Sequence, residues 1–285
     1  MRWKDLRRSQ NVEDRRGMSG PKMAMGGGLG VLVIALVVWL LGGDPAPILQ
    51  QAGPPGGAPS ASVPGVEFTA EENELADFVS VVLAETETVW NAQFQALGRT
   101  YEEPKLVLFT DAVQSACGYA QAAMGPFYCA PDAKVYIDLG FYRELKTRHG
   151  AGGDFAEAYV IAHEVGHHVQ NLLGIMDEYG RRSARLNERE ANALTVRLEL
   201  QADCFAGLWA HHSHRERRIL EEGDIEEALN AAGAIGDDRL QRQATGRVVP
   251  DAFTHGTSEQ RVRWFSRGLQ DGDLRRCDAF AVAAP

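Results

Sequence analysis

Residues 153–175, GDFAEAYVIAHEVGHHVQNLLGI, predict one long helix and contain the most informative motif of this chain. Asp154 and Glu157 have the spacing of a capping box, and Gly174 is suited to end a helix, so one helix is predicted between them. Inside it, the motif HEVGH at residues 163–167 places two histidines on one face, one turn apart. Because the flanking residues are apolar, the helix is predicted to be buried.

Two buried histidines beside a glutamate would be costly without a partner, and a metal ion is such a partner. His163 and His167 are the predicted zinc ligands. Glu164 lies about 100° further round the helix, where it can reach a zinc-bound water without ligating the metal, so it is the predicted general base. A hydrolytic zinc site needs a third protein ligand. The longer motif H-E-x-x-H-x-x-G-x-x-H does not supply it, because Gln170 and Leu173 stand at its Gly and last His positions.

The third ligand is expected from a second helix, which Asn187 and Glu190 are predicted to begin with a capping box. This helix contains ELQAD at residues 199–203, where Glu199 and Asp203 are one turn apart and face the same way. Glu199 is the predicted third ligand, and Asp203 is predicted to accept the outer N–H of a ligand histidine. The alternative is an ordinary solvent-exposed acidic face.

The hydrophobic pattern of the other segments predicts their secondary structure and, from it, the fold class. It predicts short strands at residues 105–109 and 134–139, a helix at residues 71–97, and a helix at residues 224–232 that begins with a capping box at Asp224. Helices outnumber strands and do not alternate with them, so an α+β fold is predicted, mostly helical with a small sheet. The edge of the strand at residues 135–139 is expected to pair with an extended substrate.

Composition excludes several classes of protein. The 285-residue chain is 45% hydrophobic and 24% charged, which is typical of a globular protein rather than a disordered or collagen-like one. Its formal net charge of −10 argues against a nucleic-acid partner, because phosphate recognition needs a basic face.

The chain divides into four predicted regions. Residues 1–22 carry seven Lys and Arg against three Asp and Glu, and residues 23–43 carry no charge and are long enough to span a bilayer as one helix. Residues 44–65, with six Pro and four Gly, predict an extended linker to a domain at residues 66–285. The basic segment predicts a cytoplasmic N-terminus and an extracytoplasmic domain, in the periplasm or at the cell exterior, anchored by a single transmembrane helix. A cleaved signal peptide is the alternative.

The four cysteines all follow the predicted membrane segment, where the compartment is expected to be oxidising. An even number there favours two disulfides, and zinc ligation is disfavoured because no C-x-x-C pair occurs. Of the three pairings, Cys117–Cys129 is favoured because it closes a short loop, which leaves Cys204–Cys277.

Seven stretches, which cover most of residues 105–280, carry a resemblance to a known family: SACG (115–118), GPFYC (125–129), VYIDL (135–139), GDFAEAYVIAHEVGHHVQNLLGI (153–175), RLELQADCFAG (197–207), GDIEEALNAA (223–232) and VVPDAFTHGTSEQR (248–261). In these stretches the chain resembles the neutral zinc metallopeptidases of bacteria, which are single-pass membrane proteins with a zincin-like domain. The resemblance implies zinc-dependent hydrolysis of peptide bonds.

A second resemblance concerns the element THG at residues 254–256 with Arg261. It is similar to the T-H-P-x-x-x-x-R element of integral-membrane zinc proteases, with glycine in place of proline. The resemblance implies that His255 is a catalytic donor to the oxyanion, and a loop-capping hydrogen bond is its alternative. Arg261 is a candidate for contact with a substrate carbonyl or for support of the loop. A surface salt bridge is an equally good interpretation of this residue. Tyr136 and Tyr128 are rival oxyanion donors.

The predicted function is therefore that of a membrane-anchored zinc endopeptidase that holds one Zn²⁺ per chain and acts on a peptide or protein. One alternative is a zinc-stabilised extracytoplasmic binding module without catalysis, which would not need Glu164. The other is an amidase that acts on cell-wall peptides and shares the metal ligands. Cleavage of an unstructured protein such as casein distinguishes the peptidase from both.

Overall fold

The computed structural model describes residues 1–18 and 67–283. Met1–Arg15 and the chain from Phe68 onward form one compact unit. The transmembrane helix predicted at residues 23–43 and the linker predicted at residues 44–65 lie outside the described residues. Among the helices that the structure does describe, none is both long and apolar enough to cross a membrane.

Helices dominate the described unit. They are α1 (Ala70–Ala96), α2 (Gly140–Thr147), α3 (Asp154–Leu172), α4 (Ile175–Ser183), α5 (Glu188–Arg217), α6 (Asp224–Ala234), α7 (Asp237–Thr245) and α8 (Ser258–Asp271), with 3₁₀ turns at Ala122–Met124, Pro250–Ala252 and Leu274–Cys277. The strands are β1 (Val12–Asp14), β2 (Lys105–Phe109), β3 (Ala112–Ser115), β4 (Gly118–Gln121), β5 (Phe127–Cys129) and β6 (Lys134–Asp138). The prediction of a mostly helical α+β fold with a small sheet is confirmed.

The larger sheet of the described chain has the strand order β1-β2-β6-β5, and β3 and β4 form a separate hairpin. β1 and β6 run parallel to β2, whereas β5 runs antiparallel to β6. β6 therefore lies between two strands, and the prediction that its edge pairs with a substrate is wrong. Within the described residues β5 is paired only with β6, so β5 is the outer strand on that side of the sheet.

β1 brings the N-terminal segment into the folded unit. Val12 pairs with Leu106, and the Trp3 ring packs edge-on against Phe78 with 5.2 Å between ring centroids. The sequence predicted a separate basic segment at residues 1–22. For residues 1–15 this prediction is corrected, because these residues are part of the domain. β1 has only three residues, too few for the alternating pattern that predicts a strand.

The two central helices begin in different ways. α5 begins with the predicted capping box, in which the Glu190 N–H donates to the side chain of Asn187 at 3.0 Å and the Asn187 N–H donates to the Glu190 carboxylate at 3.3 Å. The residue before α3 is Gly153, whose φ of 130° suits glycine and which has no capping side chain. Glu227 of α6 instead accepts the Phe155 N–H of α3 at 3.0 Å.

The capping boxes predicted at Asp154 and Asp224 are wrong, because both residues lie inside their helices and glycines precede them. The two carboxylates instead hold the α-amino group of Met1, which lies 2.9 Å from Asp154 Oδ1 and 3.1 Å from Asp224 Oδ1. This ion pair joins the starts of α3 and α6 to a distant part of the chain, so local spacing could not reveal it.

The contribution of Glu157, in the first turn of α3, to the free energy of unfolding depends on pH. Burial, together with the carboxylates of Asp154 and Glu227, raises its pKa from 4.5 to about 7. The folded chain therefore holds a proton that the unfolded chain has lost, and stability falls as pH rises from 4.5 to about 7. We expect Glu157→Gln to raise the free energy of unfolding by on the order of 2 kcal/mol at about pH 8, and hardly at all at about pH 4. Urea unfolding at both pH values measures this, and an equal gain at both would contradict it.

α3 is the central helix, and its contact with α5 is close. A Cβ atom built at Gly166 would lie 3.1 Å from the carbonyl oxygen of Ala202, so a larger side chain there would push the helices apart. Further along the same contact, the rings of Phe155 and Trp209 stack with 5.8 Å between centroids. This close approach sets the histidine face of α3 directly against the acidic face of α5.

Both predicted disulfides are present and no cysteine is free. Cys117–Cys129 joins the turn of the β3–β4 hairpin to the end of β5. Cys204–Cys277 joins the middle of α5 to the C-terminal 3₁₀ turn. The predicted pairing is therefore confirmed.

Candidate metal centre

Three side chains from α3 and α5 converge in the middle of the unit. The Nε2 atom of His163 lies 3.2 Å from Glu199 Oε2, and the Nε2 atom of His167 lies 3.4 Å from Glu199 Oε1. One donor atom from each of the three lies within 4.8 Å of the others. The structure therefore brings the three predicted ligands to one point.

This donor set fits zinc. Two imidazoles and one carboxylate are a ligand set that catalytic zinc sites use, with a fourth position left for water or substrate. Burial alone would raise the pKa of Glu199, but the two histidines hold it well below its usual range, so the carboxylate stays in the charged form that can ligate. The Nδ1 atoms of both histidines are engaged elsewhere, which leaves their Nε2 atoms for the metal.

A buried ionic network fixes His163. Its Nδ1 atom lies 2.8 Å from Asp203 Oδ1, and Arg261 donates to both oxygens of Asp203 at 2.9 Å each. The hydroxyl of Tyr159 also donates to Asp203. Burial would raise the pKa of Asp203, but Arg261 and His163 hold it at about 2. Asp203 is thus a charged acceptor that keeps the proton of His163 on Nδ1.

Arg261 is not a surface residue. It is 2% exposed, and its guanidinium pairs with Asp203 rather than with a surface carboxylate. Although it borders the cavity at the metal centre, its Nε and one Nη atom are committed to Asp203. The predicted surface salt bridge is therefore wrong, because Arg261 is buried against Asp203, the partner of His163. Contact with a substrate carbonyl and support of the loop stay predictions.

A cavity of about 480 Å³ opens beside the ligands. Glu164 borders it and is 8% exposed, yet it is not one of the three converging donors. Burial raises the pKa of Glu164, although the charges of His163 and His167 oppose the shift. A carboxylate with a raised pKa is a stronger base than an exposed one, which suits it to take a proton from water.

His255 borders the same cavity from the loop between α7 and α8. Asp237, at the start of α7, fixes this loop, because its Oδ2 atom accepts the backbone N–H groups of Thr254, His255 and Gly256 at 2.8, 2.6 and 2.9 Å. The ring Nδ1 of His255 lies 3.3 Å from Asp237 Oδ1, and half of the side chain is exposed. The loop is thus capped by Asp237, while the imidazole faces the cleft. Asp237 was not singled out from the sequence, since it is 18 residues before His255.

The two tyrosines differ in position. Tyr136 is 2% exposed, stacks on Phe127 and donates its hydroxyl to Asp132 at 2.7 Å. It does not line the cavity at the metal centre, so its predicted role as an oxyanion donor or substrate contact is wrong. The reason is strand alternation, since Tyr136 faces away from the core side that Val135 and Ile137 occupy. The Tyr128 ring does line the cavity, but its hydroxyl is held by other side chains.

Comparisons with known proteins show the family of this chain. A model of the family described as "Putative neutral zinc metallopeptidase" matches residues 1–280. The chain is 50% identical over 290 residues to the uncharacterized protein YpfJ of Escherichia coli (strain K12), covering 98% of this chain and 99% of that protein. It is 41% identical over 259 residues to the uncharacterized protein Rv2575 of Mycobacterium tuberculosis (strain ATCC 25618 / H37Rv), covering 86% and 85%. No solved structure matches. The chain therefore belongs to the neutral zinc metallopeptidase family.

Proposed function

We propose that the protein is a zinc-dependent endopeptidase in which His163, His167 and Glu199 hold one zinc ion and Glu164 is the general base. The observation that carries this proposal is the division of roles around the cleft. Two buried histidines and the partly buried carboxylate of Glu199 converge, and the buried carboxylate of Glu164 borders the same cavity without joining them. A purely structural zinc site is closed by four protein ligands and has no use for such a carboxylate.

Each side chain then has one task. Zinc in this set would act as a Lewis acid and lower the pKa of a water molecule in the cleft. Glu164 accepts a proton from the attacking water and donates it to the departing amine. His255 donates to the oxygen of the scissile carbonyl as negative charge develops there. Its ring contacts with Thr254 and Asp237 both use Nδ1, which leaves Nε2 for the substrate.

The shape of the cleft favours an extended peptide as substrate. Phe127 and Tyr128 of β5 line the cavity, so a peptide that pairs with the outer edge of β5 would pass the metal centre. A second cavity of about 510 Å³ shares Gly125, Phe141 and Leu240 with the first, so the cleft continues beyond the ligands. A continuous cleft favours cleavage within a chain over removal of one terminal residue.

We further propose that the folded unit lies outside the cytoplasm, in the periplasm or at the cell exterior. Its two disulfides support this location, because disulfides persist in oxidising compartments. Attachment to a membrane through residues 23–43 stays a prediction.

The decisive experiment combines metal analysis with a casein assay on the full chain, because residues 1–15 belong to the folded unit. We expect one zinc per chain and cleavage of casein, with His163→Ala losing both. A chain that binds no zinc would overturn the proposal. Zinc without casein cleavage would point to the amidase if cell-wall peptides are hydrolysed, and to the binding module if they are not.

His255→Ala tests the proposed oxyanion donor. We expect kcat to fall by about 10²–10³-fold, the loss found when one oxyanion donor is removed, because the Tyr128 hydroxyl at the same cavity is already held by His168 and Asn171. Zinc content and melting temperature should stay unchanged, since Asp237 binds the loop through backbone N–H groups that the substitution leaves in place. Initial rates on casein measure the effect. A variant that melts earlier but turns over normally below its melting point would make His255 structural.

A further inference from the structure

A chain of buried amide groups leads from His167 to the C-terminal segment. The Nδ1 atom of His167 lies 2.9 Å from Gln170 Oε1, and the amide nitrogen of Gln170 donates to Gln201 Oε1 at 3.1 Å. The amide nitrogen of Gln201 then donates to the carbonyl oxygen of Cys277 at 3.0 Å. Gln170 is 0% exposed and Gln201 is 4% exposed, so water does not compete for these groups.

Backbone carbonyl groups determine the direction of every hydrogen bond in this amide chain. The carbonyl of Cys277 can only accept, so Gln201 must present its NH₂ group there and its oxygen to Gln170. Gln170 donates both to that oxygen and to the carbonyl of Leu198 at 2.7 Å, which turns its own oxygen toward His167. His167 must therefore donate from Nδ1. The lone pair of its Nε2 atom is left for a metal.

The end of the amide chain that is remote from His167 is bound to α5 by a disulfide and by hydrogen bonds. Cys277 is bonded to Cys204, which directly follows Asp203, the partner of His163. The guanidinium of Arg197 binds the carbonyl oxygens of Ala279, Val282 and Ala283 at 2.6, 2.7 and 3.0 Å. The segment at residues 274–283 is thus attached to the same helix that provides Glu199.

We propose that Gln170 and Gln201 are positioning residues for the zinc ligand His167, and that residues 274–283, held by the Cys204–Cys277 disulfide, form part of the metal site. The two ligand histidines then have different supports, an ion pair for His163 and a neutral amide chain for His167. The proposal rests on the zinc site of the proposed function but does not depend on peptidase activity.

Zinc affinity, measured on the full chain by competition with a chelator, is the test. Gln170→Leu removes the acceptor of His167, and we expect zinc to bind about 10–100-fold more weakly, the usual effect of removing such a partner. Gln170→Glu retains an oxygen that faces Nδ1 but loses the NH₂ group that donates to Leu198 and Gln201, so its zinc affinity should lie between those of Gln170→Leu and the unsubstituted protein. Gln270→Leu, at an exposed position of α8, is the matched control and should not differ.

Two further variants test the end of the amide chain that is remote from His167. Gln201→Met and the double variant Cys204→Ala/Cys277→Ala should each weaken zinc binding by about tenfold, the lower end of that range, although neither touches a ligand. If Gln170→Leu does not fold, Gln201→Met decides the question, because it leaves the partner of His167 in place. Unchanged zinc affinity in folded Gln170→Leu or Gln201→Met would overturn the proposal, as would equal weakening in Gln270→Leu. Absence of zinc binding in the unchanged chain would instead refute the proposed function.

Discussion

Replacing Glu164 by glutamine is expected to lower kcat by about 10²–10⁴-fold, the usual contribution of a general base. Glutamine has nearly the same shape but cannot take a proton from water. The zinc content should stay at one per chain, because Glu164 is not among the three converging donors. Initial rates on casein, with metal analysis of the same samples, measure both quantities.

Glu157→Gln is the matched control, since it makes the same change on the same helix at a residue that does not border the cavity. Its turnover should equal that of the unchanged chain. Because burial raises the pKa of Glu164, the activity of the unchanged chain should decline as pH falls and this carboxylate takes up a proton. Activity retained in Glu164→Gln, or zinc lost from it, would show that the carboxylate has another role.

Arg261→Met should be the most destabilising single change in the buried network, with a loss of about 3–5 kcal/mol in the free energy of unfolding. Methionine approximates the length of arginine but leaves the carboxylate of Asp203 buried without its cation. Asp203 is fully buried and receives two hydrogen bonds from Arg261, so no water can replace them. Urea unfolding measures the loss.

Arg263→Met provides the comparison, because Arg263 is exposed on the same helix, two residues away. Exposed substitutions of this kind change stability by about 0.5 kcal/mol or less. Arg261→Lys keeps the positive charge but loses the two-point contact, so its stability should fall between those of the unchanged chain and Arg261→Met. A loss in Arg261→Met no larger than in Arg263→Met would mean that Asp203 does not depend on its partner.

Local spacing predicted the parts of the site that lie within single helices. His163 and His167 are one turn apart on α3, and Glu199 and Asp203 are one turn apart on α5, so helical geometry alone places each pair on one face. That the two faces meet follows from the close contact at Gly166, which the sequence does not reveal. The disulfide pairing was predictable because four cysteines allow only three arrangements.

The cation that pairs with Asp203 was not predictable. Arg261 is 58 residues from Asp203, and nothing in the spacing of the THG element and Arg261 shows that this arginine is buried against a carboxylate. Gln170 is different, since it lies three residues after His167 on one helix, a spacing at which side chains meet. That signal was available, and Gln170 was considered only as a departure from a longer motif.

The pairing of β1 with β2 has a consequence for membrane topology. Val12 and Leu106 are partners in one sheet, so both must lie on the same side of any bilayer when the sheet forms. A single crossing by residues 23–43 would place them on opposite sides, so the predicted cytoplasmic N-terminus and this sheet cannot both be present in one molecule. If the sheet forms, the N-terminal strand shares the compartment of the Cys204–Cys277 disulfide. An impermeant reagent that reaches the metal centre in intact cells should therefore also reach Lys4, which is largely exposed.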